Sequence, residues 1–305
     1  MATDRRASEA KRLLLAGLVD YAGLFPPAAL PMADAVRRYQ EHRNSPEAWA
    51  LGKFVVPVAR LAEFEGVAQP RPGRDPWPLA MIAGADFGAD VRIIEEFLRR
   101  LAPRVSVGAI EAKASSPEHV ATIARDAALL RLNAVDAFDV YVEVPVAADP
   151  SAMIDAIAAH GLRAKVRTGG VEPGAFPTAE QLARFMVACA TRGVTFKATA
   201  GLHHAMRGEY PLTYEPASAR GTMFGFLNVF LVALFVREGL GAADAAALLE
   251  ERDASTISFG ATSIAWRGRV IDAAAIRAAR ASTATSFGSC SFEEPVADLS
   301  SLGLL

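Results

Sequence analysis

The sequence predicts an α/β protein built as an eight-stranded (β/α)8, or TIM, barrel. Three observations predict it. Short β-branched apolar runs alternate with longer helical patterns through most of the chain, the signature of repeated βαβ units. The strand candidates read as nearly continuous apolar runs, as strands covered on both faces do. No stretch among the 305 residues is rich enough in Pro, Gly or Ser to mark a linker, so residues 1–305 are read as a single domain. A composition of 52% hydrophobic and 22% charged residues suits a chain that buries a large core.

Eight strands are expected in order: LLLAGLVD near Leu13, GKFVVPV from Gly52, PLAMIAG from Pro78, RVSVGAIEA from Arg104, FDVYVEVPV from Phe138, LRAKVRTG from Leu162, VTFKATAG from Val194 and STISFGA from Ser255. The helical segments between them carry start signals. Ser116 is an N-cap followed by a first-turn proline, Pro117, and Thr178 with Gln181 forms a capping box. The stretch from Phe224 to Val236 is an apolar helix, too short and too interrupted by Asn228 to span a bilayer. Two segments depart from the repeat. Residues 201–221 read as a long polar loop after the seventh strand, a candidate lid, and a tail from Ser282 is expected to pack over the barrel or make a subunit contact.

A net charge of -2 and a pI near 6.2 give no broad basic field, which argues against nucleic acid and anionic membranes as partners. The apolar run from Leu13 is broken by Asp20, too short for a secretory core, so a cytoplasmic protein is expected. The reading assigns a small-molecule substrate and no cofactor, and it leaves a homo-oligomer open. The two cysteines lie far apart without metal spacing; Cys189 falls in an apolar helix pattern and belongs to the core, while Cys290 is either a packing thiol or a nucleophile.

A barrel strand should be apolar inside, so a lysine near its C-terminal end is costly unless it faces the catalytic mouth. Lys165 and Lys197 stand at matching positions on the sixth and seventh strands, where neighbours lie about 4.8 Å apart. Each ammonium then disfavours the other's charge, and a lysine kept neutral in this way attacks carbonyls to form a Schiff base. The alternative is that both lysines reach the rim and pair with carboxylates. Glu111, Glu143, Asp20 and Asp86 fall near predicted mouth positions; they are candidate proton shuttles or counter-ions to Lys53, Lys113 and Arg167. The turns Gly169-Gly170, Ala200-Gly201 and Phe259-Gly260-Ala261-Thr262-Ser263 expose backbone N–H groups suited to an anion.

These segments resemble deoxyribose-phosphate aldolase and its class I relatives. Lys165-Val-Arg-Thr-Gly-Gly is similar to the family's strand-six Lys-Thr-Ser-Thr-Gly-Phe, whose lysine forms the Schiff base. Lys197-Ala-Thr-Ala-Gly-Leu is similar to the strand-seven Lys-Ala-Ser-Gly-Gly-Ile, whose lysine tunes the first. Phe259-Gly-Ala-Thr-Ser is similar to the strand-eight Phe-Gly-Ala-Ser-Ser that helps to bind phosphate. The resemblance covers about the second half of the chain. It implies a lyase with catalytic Lys165 and Lys197, an acid/base carboxylate among Glu111, Glu143 and Asp20 in that order, and a substrate site drawn from Thr168, Gly169, Thr199, Gly201, Gly260, Thr262 and Ser263. Arg167 departs from the family's small hydroxyl residue and faces the same way as Lys165, where it can bind a carboxylate or phosphate. The loop carrying His203 and His204 is longer than the family's, and both histidines are counted with Arg167 among the candidate substrate-binding residues.

Three functions follow. The leading one is reversible carbon–carbon bond cleavage through a Lys165 Schiff base on a small aldehyde or keto substrate. The second is a metal-dependent lyase or hydrolase using His203 and His204 with Glu111 or Glu143. The third is a barrel that binds a sugar acid or sugar phosphate without turnover.

Overall fold

The computed structural model describes residues 8–70, 75–133 and 138–305. Eight parallel strands close into a barrel: β1 (Val19–Tyr21), β2 (Leu51–Pro57), β3 (Trp77–Ile82), β4 (Val105–Lys113), β5 (Asp139–Glu143), β6 (Arg163–Arg167), β7 (Phe196–Thr199) and, completing the ring between β7 and β1, β13 (Ala284–Ser289). Helices α2 (Met32–Arg43), α3 (Leu61–Ala68), α4 (Phe87–Leu101), α5 (Pro117–Asn133), α6 (Ser151–Ala159) and α7 (Ala179–Thr191) connect the first seven strands in turn. The fold class is therefore the one the sequence predicts.

Alternation along the strands sorts the side chains. Phe54, Val56, Leu79, Met81, Ile110 and Val142 join the main core under the helices, whereas Val55, Ala80, Ala109 and Tyr141 form a separate small cluster inside the ring. The helix signals hold: Ser116 Oγ accepts from His119 N, and Thr178 and Gln181 form a reciprocal capping box. Asp86 does not reach the mouth; it caps α4 by accepting from Ala89 N at 2.9 Å.

Two expected strands are corrected. The LLLAGLVD segment opens in the last turn of helix α1 (Glu9–Leu15), where Ala10 and Leu14 recur at helical spacing and are buried; Gly17, at φ +58°, then turns the chain, and only Val19 and Asp20 of the segment belong to the three-residue β1. The eighth strand is not STISFGA. That segment forms β10 (Ile257–Phe259), the edge of an antiparallel sheet with β11 (Ser263–Trp266) and β12 (Arg269–Asp272), outside the barrel. The tail supplies the closing strand instead, after α10 (Ala273–Ser282), and ends in α11 (Glu293–Ser301).

The segment after β7 is also more than a loop. Residues 208–223 form a hairpin of β8 (Gly208–Pro211) and β9 (Arg220–Met223), followed by α8 (Phe226–Arg237) and α9 (Ala242–Leu249). α8 is apolar all round and buried all round, enclosed by α7, α9, α10 and β13. Among the described residues, no helix is long and apolar enough to cross a membrane.

Candidate active site

Backbone register aligns charges where a barrel interior is normally aliphatic. Lys113 pairs with Glu143, Glu143 with Lys165, and Lys165 with Lys197, so one row crosses four neighbouring strands from β4 to β7. Side chains of one row point to one face of the sheet, here the interior.

The two lysines share one carboxylate. Glu111 places Oε2 2.8 Å from Lys165 Nζ and Oε1 2.5 Å from Lys197 Nζ. Lys197 also donates to Asp20 Oδ2 at 2.7 Å, and Asp20 accepts from Ser286 Oγ at 2.7 Å and from Lys53 N at 2.8 Å. Asp20 fits there because residue 52 is glycine: a Cβ on Gly52 would lie 2.4 Å from the Asp20 carboxylate. The Lys53 ammonium lies 3.9 Å from Asp20, and with Glu143 beside Lys165 the set holds three lysines and three carboxylates.

Burial and charge compete in this set. Burial pushes the Asp20 carboxyl up, but Lys197 and Lys53 beside it and the hydrogen bonds it accepts lower it to about 2. Burial likewise raises Glu111, and Lys165 and Lys197 overcome this to leave it lowered. For Lys197, burial favours the neutral amine, but Asp20 and Glu111 hold the group well above the usual lysine value. Lys197 is thus a fixed cation, and the expectation that two adjacent lysines simply discharge each other is corrected: a carboxylate stands between them.

Lys165 alone of the pair opens onto solvent. A cavity of about 340 Å³ at the C-terminal ends of the strands is lined by Lys165, Glu111 and Glu143, with Lys113 and Arg167 at its rim. The cavity's other wall is apolar, formed by Ala22, Phe25, Pro26, Pro27, Val55 and Ile82. Glu143 Oε2 lies 3.1 Å from Lys165 Nζ, yet the oxygen is buried and lacks the alignment of a hydrogen bond. Lys197 and Asp20 lie beneath, outside the lining. Lower still, Tyr141 forms a floor, its hydroxyl 3.0 Å from Thr285 Oγ1 and 3.2 Å from Arg163 Nη1.

The other expected substrate residues divide. Arg167, Thr199, Gly201 and His203 line the cavity. Thr168 is buried and donates to Ala200 O, tying the β6 and β7 ends together. Gly169 packs against Phe176, where a Cβ would lie 2.3 Å from the ring, so it serves the turn and not the cavity. Gly260, Thr262 and Ser263 lie on the β10–β11 turn: Gly260 O accepts from Ser8 Oγ, and Ala261 O accepts from Ala10 N, next to α1. None of the three lines the cavity. Their misplacement follows from the misassigned eighth strand.

The histidines separate. His203 Nδ1 meets Glu294 Oε2 at 3.0 Å, while His204 Nδ1 meets Asp298 Oδ2 at 3.2 Å and stacks on Tyr210. Both carboxylates belong to α11, and His204 lines a neighbouring cavity beneath the hairpin. Among the described residues, no three of His, Cys, Asp and Glu are grouped so as to hold a metal ion. The sequence reading missed Glu294, Ser286 and Tyr141; the first two lie in the tail that was not read as barrel. Cys290, at the end of β13, lines the cavity, while Cys189 is buried in α7. No family model, curated protein or solved structure matches the chain.

Proposed function

We propose that the protein is a class I aldolase-type lyase that makes or breaks a carbon–carbon bond through a Schiff base on Lys165, in keeping with its resemblance to deoxyribose-phosphate aldolase. One observation carries the reading. Of two register-paired lysines, Lys165 lines the open cavity beside two carboxylates, whereas Lys197 is sealed beneath as a fixed cation.

The chemistry follows from these positions. Lys165 gives up a proton to Glu143, 3.1 Å away, and its amine attacks a carbonyl, forming a carbinolamine. Glu143, which faces the cavity with an oxygen free of any aligned donor, supplies a proton to the departing hydroxyl and recovers one later. The resulting iminium lies against Glu111, whose charge Lys197 keeps in place. Bond cleavage sends its electron pair to the iminium nitrogen and leaves an enamine, which takes a proton at carbon to return to the iminium, and attack of water on that iminium frees Lys165. This assignment prefers Glu143 to Glu111, both of whose oxygens are held by lysines, and to Asp20, which is out of reach of the cavity.

Incubation with small aldehydes and keto acids under borohydride, followed by peptide mass spectrometry, tests the proposal. A reduced adduct on Lys165, absent from Lys165→Ala, is the expected result. No adduct across a broad panel, in protein shown to be folded, overturns it.

A further inference from the structure

A second cluster of ionisable groups faces the same cavity from the other side. His203, on the segment after β7, lines it together with Cys290, at the end of β13. Glu294 Oε2, from the first turn of α11, meets His203 Nδ1 at 3.0 Å, and the same oxygen accepts from the Tyr214 hydroxyl at 2.9 Å. Cys290 Sγ lies 4.0 Å from His203 Nδ1 and 3.5 Å from the Tyr214 oxygen. Two stretches remote in sequence, residues 203–214 and 290–294, thus meet around one imidazole, and the Glu294 contact uses Nδ1, which leaves Nε2 for a ligand.

From this geometry we infer that His203, oriented by Glu294, is the catalytic acid and base for the oxygen of the carbonyl compound that joins or leaves the Lys165 adduct. The inference rests on the Schiff-base reading. In the bond-forming direction the enamine on Lys165 attacks the aldehyde carbon, the carbonyl π pair moves to oxygen, and Nε2–H of the imidazolium protonates that alkoxide. In cleavage, neutral Nε2 takes the hydroxyl proton as the carbon–carbon bond breaks and its electron pair flows to the iminium nitrogen. Both directions balance without an oxidant or metal, and Glu143 remains free to serve the nitrogen-centred steps.

The surroundings set the resting proton. Burial disfavours the imidazolium, but the Cys290 and Glu294 contacts raise His203 to about 9. Glu294 is itself lowered, against its burial, by His203, Tyr214 and His204, and Tyr214 is pushed up, chiefly by burial, so it stays a donor. His204 faces Asp298 and adds no direct contact to His203. At neutral pH the imidazolium is in place, the form that bond formation needs.

Propanal in D2O separates the steps because it serves as both donor and acceptor. Borohydride trapping reads the adduct, exchange of the C2 protons reads the enamine, and the self-aldol product reads bond formation. His203→Gln is expected to keep the adduct and the exchange while condensation falls about 10²- to 10⁴-fold. Wild-type condensation declines as pH rises through about 9; His203→Gln lacks that limb, and Glu294→Gln moves it toward the ordinary imidazole value of about 6.5. Condensation at the wild-type rate with an unchanged pH limb in His203→Gln overturns the inference. So does joint loss of adduct, exchange and condensation, which marks a structural role, and so does a wild-type protein that exchanges protons without condensing. A wild-type protein without a Lys165 adduct fails the Schiff-base reading itself, and the inference with it, before any His203 variant is made.

Discussion

Asp20 shows how a residue inside a barrel can be charged at little net cost. Its carboxylate meets Lys197, Ser286 and the Lys53 amide, so the desolvation that would neutralise it is offset by charge and hydrogen bonds. Its folded value of about 2 lies below its ordinary value of 3.8. The unfolded chain therefore binds the proton more tightly in acid. The stabilisation is fully present above about pH 4 and is lost as pH falls toward 2, by linkage roughly 2 kcal/mol. Urea melts between pH 2 and 5 should show this slope in the wild type and a flatter one in Asp20→Asn. Lys197→Met is the harsher change, leaving two buried carboxylates without their shared cation. A loss on the order of 3–5 kcal/mol at neutral pH is expected, read by the same melts.

At the scale of elements, the connection between β7 and β13 depends on one polar side chain in an apolar helix. Asn228, fully buried on α8, donates to Leu248 O and Glu251 O, both at 2.8 Å, and accepts from Arg207 N at 2.9 Å. It thereby fixes α8 to the end of α9 and to Arg207, the residue just before the hairpin. Asn228→Leu preserves volume and removes the partner of Arg207 N and of Glu251 O, while Leu248 O keeps its bond from Glu251 N, so a cost on the order of 2 kcal/mol is expected in thermal or chemical melts. The elements also show which signals the sequence carried. Lys165 and Lys197 were legible because period-two alternation makes a buried charge on a strand conspicuous, and the pair lies in register as that periodicity requires. The closing strand was not legible. ATSFGS is small and polar, and its register shifts between Ala284 and Phe287, a bulge that lets Thr285 reach Tyr141 and Ser286 reach Asp20. Such a strand lacks both the apolar run and the alternation by which strands are recognised, while β10, short and apolar at Ile257 and Phe259, has them without a place in the barrel. Glu294 was hidden for the same reason, since its approach to His203 depends on where β13 delivers α11.

The whole molecule depends on that late closure. β13 hydrogen-bonds to β7 on one side and β1 on the other, and Phe287 stacks on Phe226 and packs against Phe230 of α8, joining the ring to the helix layer. Without residues 283–305 the barrel has two open edges at β1 and β7, and Asp20 loses the Ser286 hydroxyl. The cavity loses Gly288 and Cys290 from its lining. A chain ended at Ser282 should fail to melt cooperatively and should aggregate, as followed by circular dichroism and light scattering. Phe287→Ala, which keeps the strand but removes its packing, should destabilise by about 3–5 kcal/mol while remaining folded. A truncated chain with a wild-type melt would mean that seven strands suffice and that the tail is an appendage. The placement of Ser286 against Asp20, and through it against Lys197, argues the opposite: closing the barrel and assembling its charged interior are one event.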